Sequence, residues 1–207
     1  LTVAVNPDND WATCLTWSQL RTVWDQGSTI DNWNQIDPSF PDQPLKLYSP
    51  GADSGTFDYF TEEINGKTDQ MRNDSLVTFS EDDNVLVQGV QNNKGALGYF
   101  GYAYYVENEG TVAPLAVDKD QDNKGQPVPD DKRKGCLEPS ESAINDGSYP
   151  LSRPLFMYVK KRSLAEKPQV RGFMEFVLTN AGLVADVGYV KLPDTEYQAG
   201  LDTLAAN

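Results

Sequence analysis

Short apolar runs of strand length alternate along this chain with amphipathic stretches of helix length, and this alternation constrains the fold more than any other feature. LTVAVNP reads as a strand over Leu1 to Asn6. In TWSQLRTVWDQG, Trp17, Leu20, Val23 and Trp24 share one helical face, with Thr16 placed as N-cap and Gly27 as C-terminal stop. DNWNQIDPSFPDQP is turn chemistry, and PLKLYS behind it is a short strand. SPGADSGTFDYF then passes from strand to a helix predicted from about Thr56 to Asn65, carrying Phe57, Phe60 and Ile64 on one side. A further helix is predicted from Glu81 to Gln91 on Val85, Val87 and Val90, followed by the strand ALGYF, a Tyr-rich helix or turn through Tyr105, and the strand VAPLAV.

From Asp118 to Tyr149 the composition turns polar and rich in Gly and Pro, long enough for a functional or protruding loop. LSRPLFMYVKK reads as a strand. The last strong helix is predicted from about Lys167 to Val187, with Val170, Phe173, Phe176, Val177, Leu183 and Val184 inward, before the short VGYVKLP. Strands alternating with helices predict an α/β fold whose sheet is covered on both faces. No internal repeat is present.

Composition removes several functions. The 207 residues, 39% hydrophobic, suffice for a core, and 17 Lys and Arg against 31 Asp and Glu give a net charge of -14. That charge disfavours nucleic acid and anionic membranes as partners. No run approaches the length of a spanning helix, and the chain opens directly on a strand with no leader visible. The absence of histidine excludes Ser-His-Asp and Cys-His catalysis and the commonest zinc sites. Cys14 and Cys136, both in polar loop-like surroundings, suit a single disulfide in an oxidising compartment, the alternative being two unpaired thiols.

The segment 51–56 draws attention because a helix N-terminus leaves backbone N–H groups unpaired and carries about half a positive charge, favouring an anion. Gly55 lets a ligand approach the backbone, while Ser54 and Thr56 each offer a hydroxyl. Plain helix capping is the competing reading. Asp118, Asp120 and Asp122 imitate the start of a calcium loop, but glycine is missing from the sixth place and Pro129 stands where the bidentate Glu belongs, so the stretch reads as a solvated loop and no metal is expected. Tyr99, Phe100, Tyr102, Tyr104 and Tyr105 read as core rather than a stacking platform.

LYSPGADSGTFDYFTEEI, LTWSQLRTVWDQGSTIDNWNQI, NNKGALGYFGYAYY, YPLSRPLFMYVKK and GFMEFVLTNAGLVADVGYVKLP together resemble the periplasmic phosphate-binding proteins of phosphate ABC transporters, particularly their cyanobacterial branch. The blocks lie in the family's order and cover most of the chain. The resemblance implies a type II periplasmic binding fold with one lobe nearly complete over 7–150, its polar loop at 118–149, and a return crossover strand and C-terminal helix over 151–207. LTVAVNP and SRPLFMYV look like the two crossover strands. It further implies capture of inorganic phosphate in the periplasm and delivery to an ABC transporter permease, without cofactor or catalysis, and carries the ligand role to Ser54, Gly55 and Thr56.

The family often has Arg-x-Asp-Gly before Ser-Gly-Thr; here the four residues are Pro50, Gly51, Ala52 and Asp53. Arg153 is a candidate replacement for that arginine, with a surface ion pair as its alternative role. Asp53 is a candidate acceptor for the proton of hydrogen-phosphate, or a helix cap. The family's N-terminal segment, which supplies ligands from the other lobe, has no counterpart here, so the chain is expected to be a truncated member holding half a cleft. Two other functions compete: a lobe without tight anion binding that serves as a structural or protein-interaction module, and a phosphatase-like hydrolase using Ser54, for which no activating base is evident.

Overall fold

The computed structural model describes residues 1–206. In chain order the elements are β1 (Thr2–Val5), β2 (Cys14–Thr16), α1 (Trp17–Trp24), β3 (Lys46–Pro50), α2 (Gly55–Phe60) continuing as a π-helical turn over Thr61–Asn65, β4 (Val77–Ser80), α3 (Asp83–Gln91), β5 (Ala96–Phe100) and α4 (Tyr102–Glu107). They continue with β6 (Ala113–Pro114), β7 (Ala116–Asp118), α5 (Glu141–Asn145), α6 (Lys161–Glu166), α7 (Pro168–Thr179), α8 (Gly182–Asp186) and α9 (Asp194–Ala205).

The main sheet runs β4-β3-β5-β1-β6. β3 pairs in parallel with both β4 and β5, whereas β1 pairs antiparallel with β5 and β6. Alternation along each strand divides the core. Val3, Val5, Leu47, Leu97 and Tyr99 face α1 and α2, joining Trp17, Leu20, Trp24, Phe57 and Phe60. Ala4, Ala96 and Phe100 face the other way, against Leu86, Val87 and Val90 of α3. The sheet is therefore covered on both faces, as the sequence pattern predicts.

Local chemistry explains the helix positions. Thr16 caps α1 by accepting from the Gln19 amide at 3.2 Å while the Gln19 side chain accepts from the Thr16 amide, a reciprocal capping box. Aromatic packing then fixes the helices to the sheet. Phe60 stacks on Tyr99 at 3.7 Å between centroids, and the Trp24 ring meets both edge-on at 5.6 and 5.3 Å. The Tyr99 hydroxyl is satisfied inside the core by Ser49 Oγ at 2.7 Å.

Several elements depart from the sequence reading. VAPLAV splits: β6 ends the main sheet, β7 pairs in parallel with β2 in a second small sheet, and buried Leu115 marks the change of partner. Val85 is exposed, and Leu86, Val87 and Val90 form the buried face of α3. The predicted helix over Lys167–Val187 is two helices, interrupted at Asn180, whose side-chain amide donates to the Phe176 carbonyl at 2.7 Å and competes with the helical ladder. Phe173, Phe176 and Leu183 are exposed, not inward. The expected strand LSRPLFMYVKK does not form: residues 152–160 have no regular structure, and Leu155, Phe156, Met157 and Tyr158 are exposed, Tyr158 at 92%. A strand needs a neighbour for its backbone, and none of the described strands pairs with this segment.

The polar stretch 118–149 is less open than its composition suggests. Cys14 and Cys136 form a disulfide, the Val117 and Leu137 backbones exchange hydrogen bonds at 2.9 and 3.0 Å, and Tyr149 is fully buried. The three aspartates of the calcium-like run face different partners: Asp118 binds Arg133, Asp120 accepts from the Ser18 amide and hydroxyl, and Asp122 accepts from the Lys124 and Gln126 amides. No group of metal-ligating side chains occurs among the described residues.

Two substitutions test this packing. Phe60→Ala should lower unfolding free energy in urea by about 3–5 kcal/mol, the usual cost of removing a buried aromatic. Replacing both cysteines by serine should cost roughly 2–5 kcal/mol, because the bridge closes a loop of 122 positions; a loss near zero would show that the loop is held by its other contacts.

Candidate functional site

The site lies at the carboxyl end of β3. From there the chain enters α2 on one face of the sheet, while α3 covers the opposite face next to the same strand. Neighbouring connections leaving on opposite faces open a crevice at the strand ends. The β3–α2 turn forms its floor.

Within the turn, Ser54 is extended and its Oγ accepts from the Thr56 amide at 3.2 Å, while its carbonyl accepts from the Asp58 amide at 3.1 Å. Ser54, not Asp53, is therefore the N-cap. The Ser54 amide donates to the Gly51 carbonyl at 3.1 Å. The Gly55 and Phe57 amides have no partner among the described residues. Gly55 is exposed, Thr56 half-buried and the Phe57 side chain buried, so the Gly55 end of the turn opens toward solvent. The turn thus carries two free amides and the hydroxyls of Ser54 and Thr56.

Arg153 arrives from 98 positions away. Its guanidinium donates to the Gly55 carbonyl at 3.1 Å and lies 5.0 Å over the Tyr59 ring. Tyr59 in turn donates its hydroxyl to the Ser152 carbonyl at 3.0 Å, pinning the backbone beside the arginine. Burial, followed by Glu63, pushes the Tyr59 phenol up to about 12, with Arg153 acting in the opposite direction. Tyr59 stays neutral and serves as a platform for the cation. Among the described residues Arg153 makes no ion pair with a carboxylate. One guanidinium edge is fixed by Gly55, and the remaining N–H groups are available to an anion.

Four of the five residues expected at this site, Ser54, Gly55, Thr56 and Arg153, meet around one turn. The Asp53 carboxylate is exposed, and the Asp53 amide donates to Glu81 Oε1 at 3.4 Å. Glu81 and Tyr59 also reach this turn, and the sequence does not signal either. The aromatic spacing around Tyr59 signals only helix, and nothing local in the sequence ties Glu81 to position 53. Thr56 and Arg153 line an open cavity together with Gly101–Tyr104, Asn145–Gly147 and apolar residues after Pro154. No basic side chain hydrogen-bonds the Ser54 hydroxyl among the described residues, so it lacks the activation that a nucleophile needs.

Comparison with known proteins places this geometry in context. The family model described as PBP superfamily domain matches residues 1–181. Protein SphX of Synechocystis sp. is 45% identical over 204 residues, covering 97% of this chain and 56% of that protein. The phosphate-binding protein PstS of Staphylococcus haemolyticus is 39% identical over 205 residues, covering 99% of this chain and 59% of that protein. Among solved structures, a possible phosphate binding protein from Planctomyces limnophilus superposes with a TM-score of 0.81 at 40% identity, covering 99% of this chain and 68% of that one. The chain thus spans little more than half the length of these curated relatives.

The cap can be tested without any ligand. Ser54→Ala should destabilise the protein by about 1 kcal/mol, and Ser54→Gly by only a few tenths, as measured by urea unfolding. Equal losses would mean that the hydroxyl does not cap the turn.

Proposed function

The chain belongs to the PBP superfamily, and from that membership together with the turn at Ser54 we propose that it is an anion-gripping lobe of a periplasmic phosphate-binding protein that serves an ABC transporter. The observation that carries this reading is that Arg153 is bonded to the Gly55 carbonyl of the turn whose Gly55 and Phe57 amides have no partner among the described residues, with Thr56 and Arg153 lining one open cavity. Relatives named as phosphate-binding proteins support the identity of the anion.

The mechanism is capture without covalent chemistry. A net charge of -14 repels phosphate at long range, so the site relies on donors that act within hydrogen-bonding distance. The Gly55 and Phe57 amides and the Ser54 and Thr56 hydroxyls point dipoles at the phosphate oxygens. Arg153, held by Gly55 and backed by Tyr59, adds a charge-assisted pair. Asp53, beside the turn but with an exposed carboxylate, is the candidate acceptor of a hydrogen bond from the hydroxyl of hydrogen-phosphate, a donor that fully ionised sulfate lacks.

The exposed apolar residues Leu155 to Tyr158, and separately Phe173 and Phe176 on α7, are surfaces for a second α/β lobe to cover in the assembled protein. In this arrangement 7–150 is one lobe, and the segment after 151 leads into the other. Closure of the two lobes on phosphate is the change that the membrane permease senses. Among the described residues no helix is long and apolar enough to cross a membrane.

Calorimetric titration with inorganic phosphate tests the proposal. Binding should weaken roughly 10- to 150-fold in Arg153→Gln, the loss expected from one charge-assisted pair of about 1.5–3 kcal/mol. Absence of phosphate binding both by this chain and by a chain extended upstream would overturn it.

A further inference from the structure

Glu81, immediately after β4, lays its carboxylate on the turn that precedes Ser54. Its Oε1 accepts from the Asp53 amide at 3.4 Å, and a Cβ built on Gly51 would stand only 1.9 Å from that same oxygen. Gly51 does not have a positive φ, so its backbone admits other residues; the carboxylate occupies the space that a side chain would need. The Gly51 amide donates to the Ser80 carbonyl at 3.2 Å, so the turn is tied to the end of β4 at two points. Among the described residues no Lys or Arg pairs with Glu81. Asp82 and Asp83 follow it, adding negative charge to this corner.

We propose that Glu81 is a resident anion of this turn, whose carboxylate competes with an incoming oxyanion and sets the affinity of the site. The inference rests on reading Ser54 to Thr56 as an anion site. A carboxylate and a phosphate are acceptors for the same kind of donor, and Glu81, in contact with Gly51 and Asp53 just before Ser54, is close enough in the fold for its charge to act on an anion at that turn within the screening length of about 10 Å at 0.1 M salt. An oxyanion arriving at the turn therefore either moves Glu81 off the Asp53 amide or binds against its repulsion.

The full chain and its variants are titrated with inorganic phosphate by calorimetry. Glu81→Gln, which keeps the shape and removes the charge, should bind about three- to tenfold more tightly, the scale of one partly screened like charge. Gly51→Ala should give a similar gain, because its methyl group pushes the flexible carboxylate away. The double variant should gain no more than the larger single one, since both act on one contact. Thermal melts confirm that each variant folds, and the Asp53 amide resonance should shift in Glu81→Gln without phosphate. Wild-type binding with no gain in Glu81→Gln, additive gains in the double variant, or an unmoved Asp53 resonance would each overturn the proposal. If no form of the chain binds phosphate, the reading of the anion site fails and this inference falls with it, an outcome distinguished by the loss of wild-type binding.

Discussion

The stacking of Phe60 on Tyr99, closed at the edge by Trp24, is the contact on which the rest of the structure depends. It joins α1, α2 and β5 at one point in the core. α2 is only six residues long before it widens into a π-helical turn, too short to hold its own position by helix formation alone. Its start stays at the end of β3 because its last residue is anchored in the sheet. The turn at Ser54 owes its geometry to an aromatic contact five residues further along.

The electrostatics divide by distance. The chain carries a strong negative charge, yet the turn at Ser54 offers amides, hydroxyls and a single arginine. Oriented dipoles fall off quickly and operate at contact, whereas net charge acts from far away and is screened by salt. Placing the arginine on an aromatic ring and a backbone carbonyl, rather than on one of the many carboxylates, leaves its charge unneutralised among the described residues.

Legibility in the sequence followed the length scale of the cause. α1, β3, α2 and β5 were readable because periodicity and capping residues are local; Thr16 and the face of Trp17, Leu20, Val23 and Trp24 appear where expected. The Ser54–Thr56 turn was readable for the same reason, and the Cys14–Cys136 bridge was one of two outcomes open to a pair of loop cysteines. The division of VAPLAV between two sheets was not readable, since Leu115 is as apolar as its neighbours and only the strand partners differ. β2 and β4 are too short to give a period, and α9, with Leu204 its one buried residue, presents too weak an apolar face. LSRPLFMYVKK has strand composition but no strand beside it, and α7 is apolar on sides that this chain does not cover. Glu81 was invisible because its contact with Gly51 and Asp53 spans 28 positions and exists only once β3 and β4 pair.

The segment 152–160 has a consequence for how the molecule melts. The helices beyond it pack on one another, with Arg171 bonded to the Leu204 carbonyl and Leu178 against Gly200, and they meet α4 where Gly188 lies against Ala103. A connector without ladder hydrogen bonds transmits little cooperativity. The helical part can therefore lose its order at a lower temperature than the disulfide-bridged sheet, and a single two-state midpoint then averages two separate transitions.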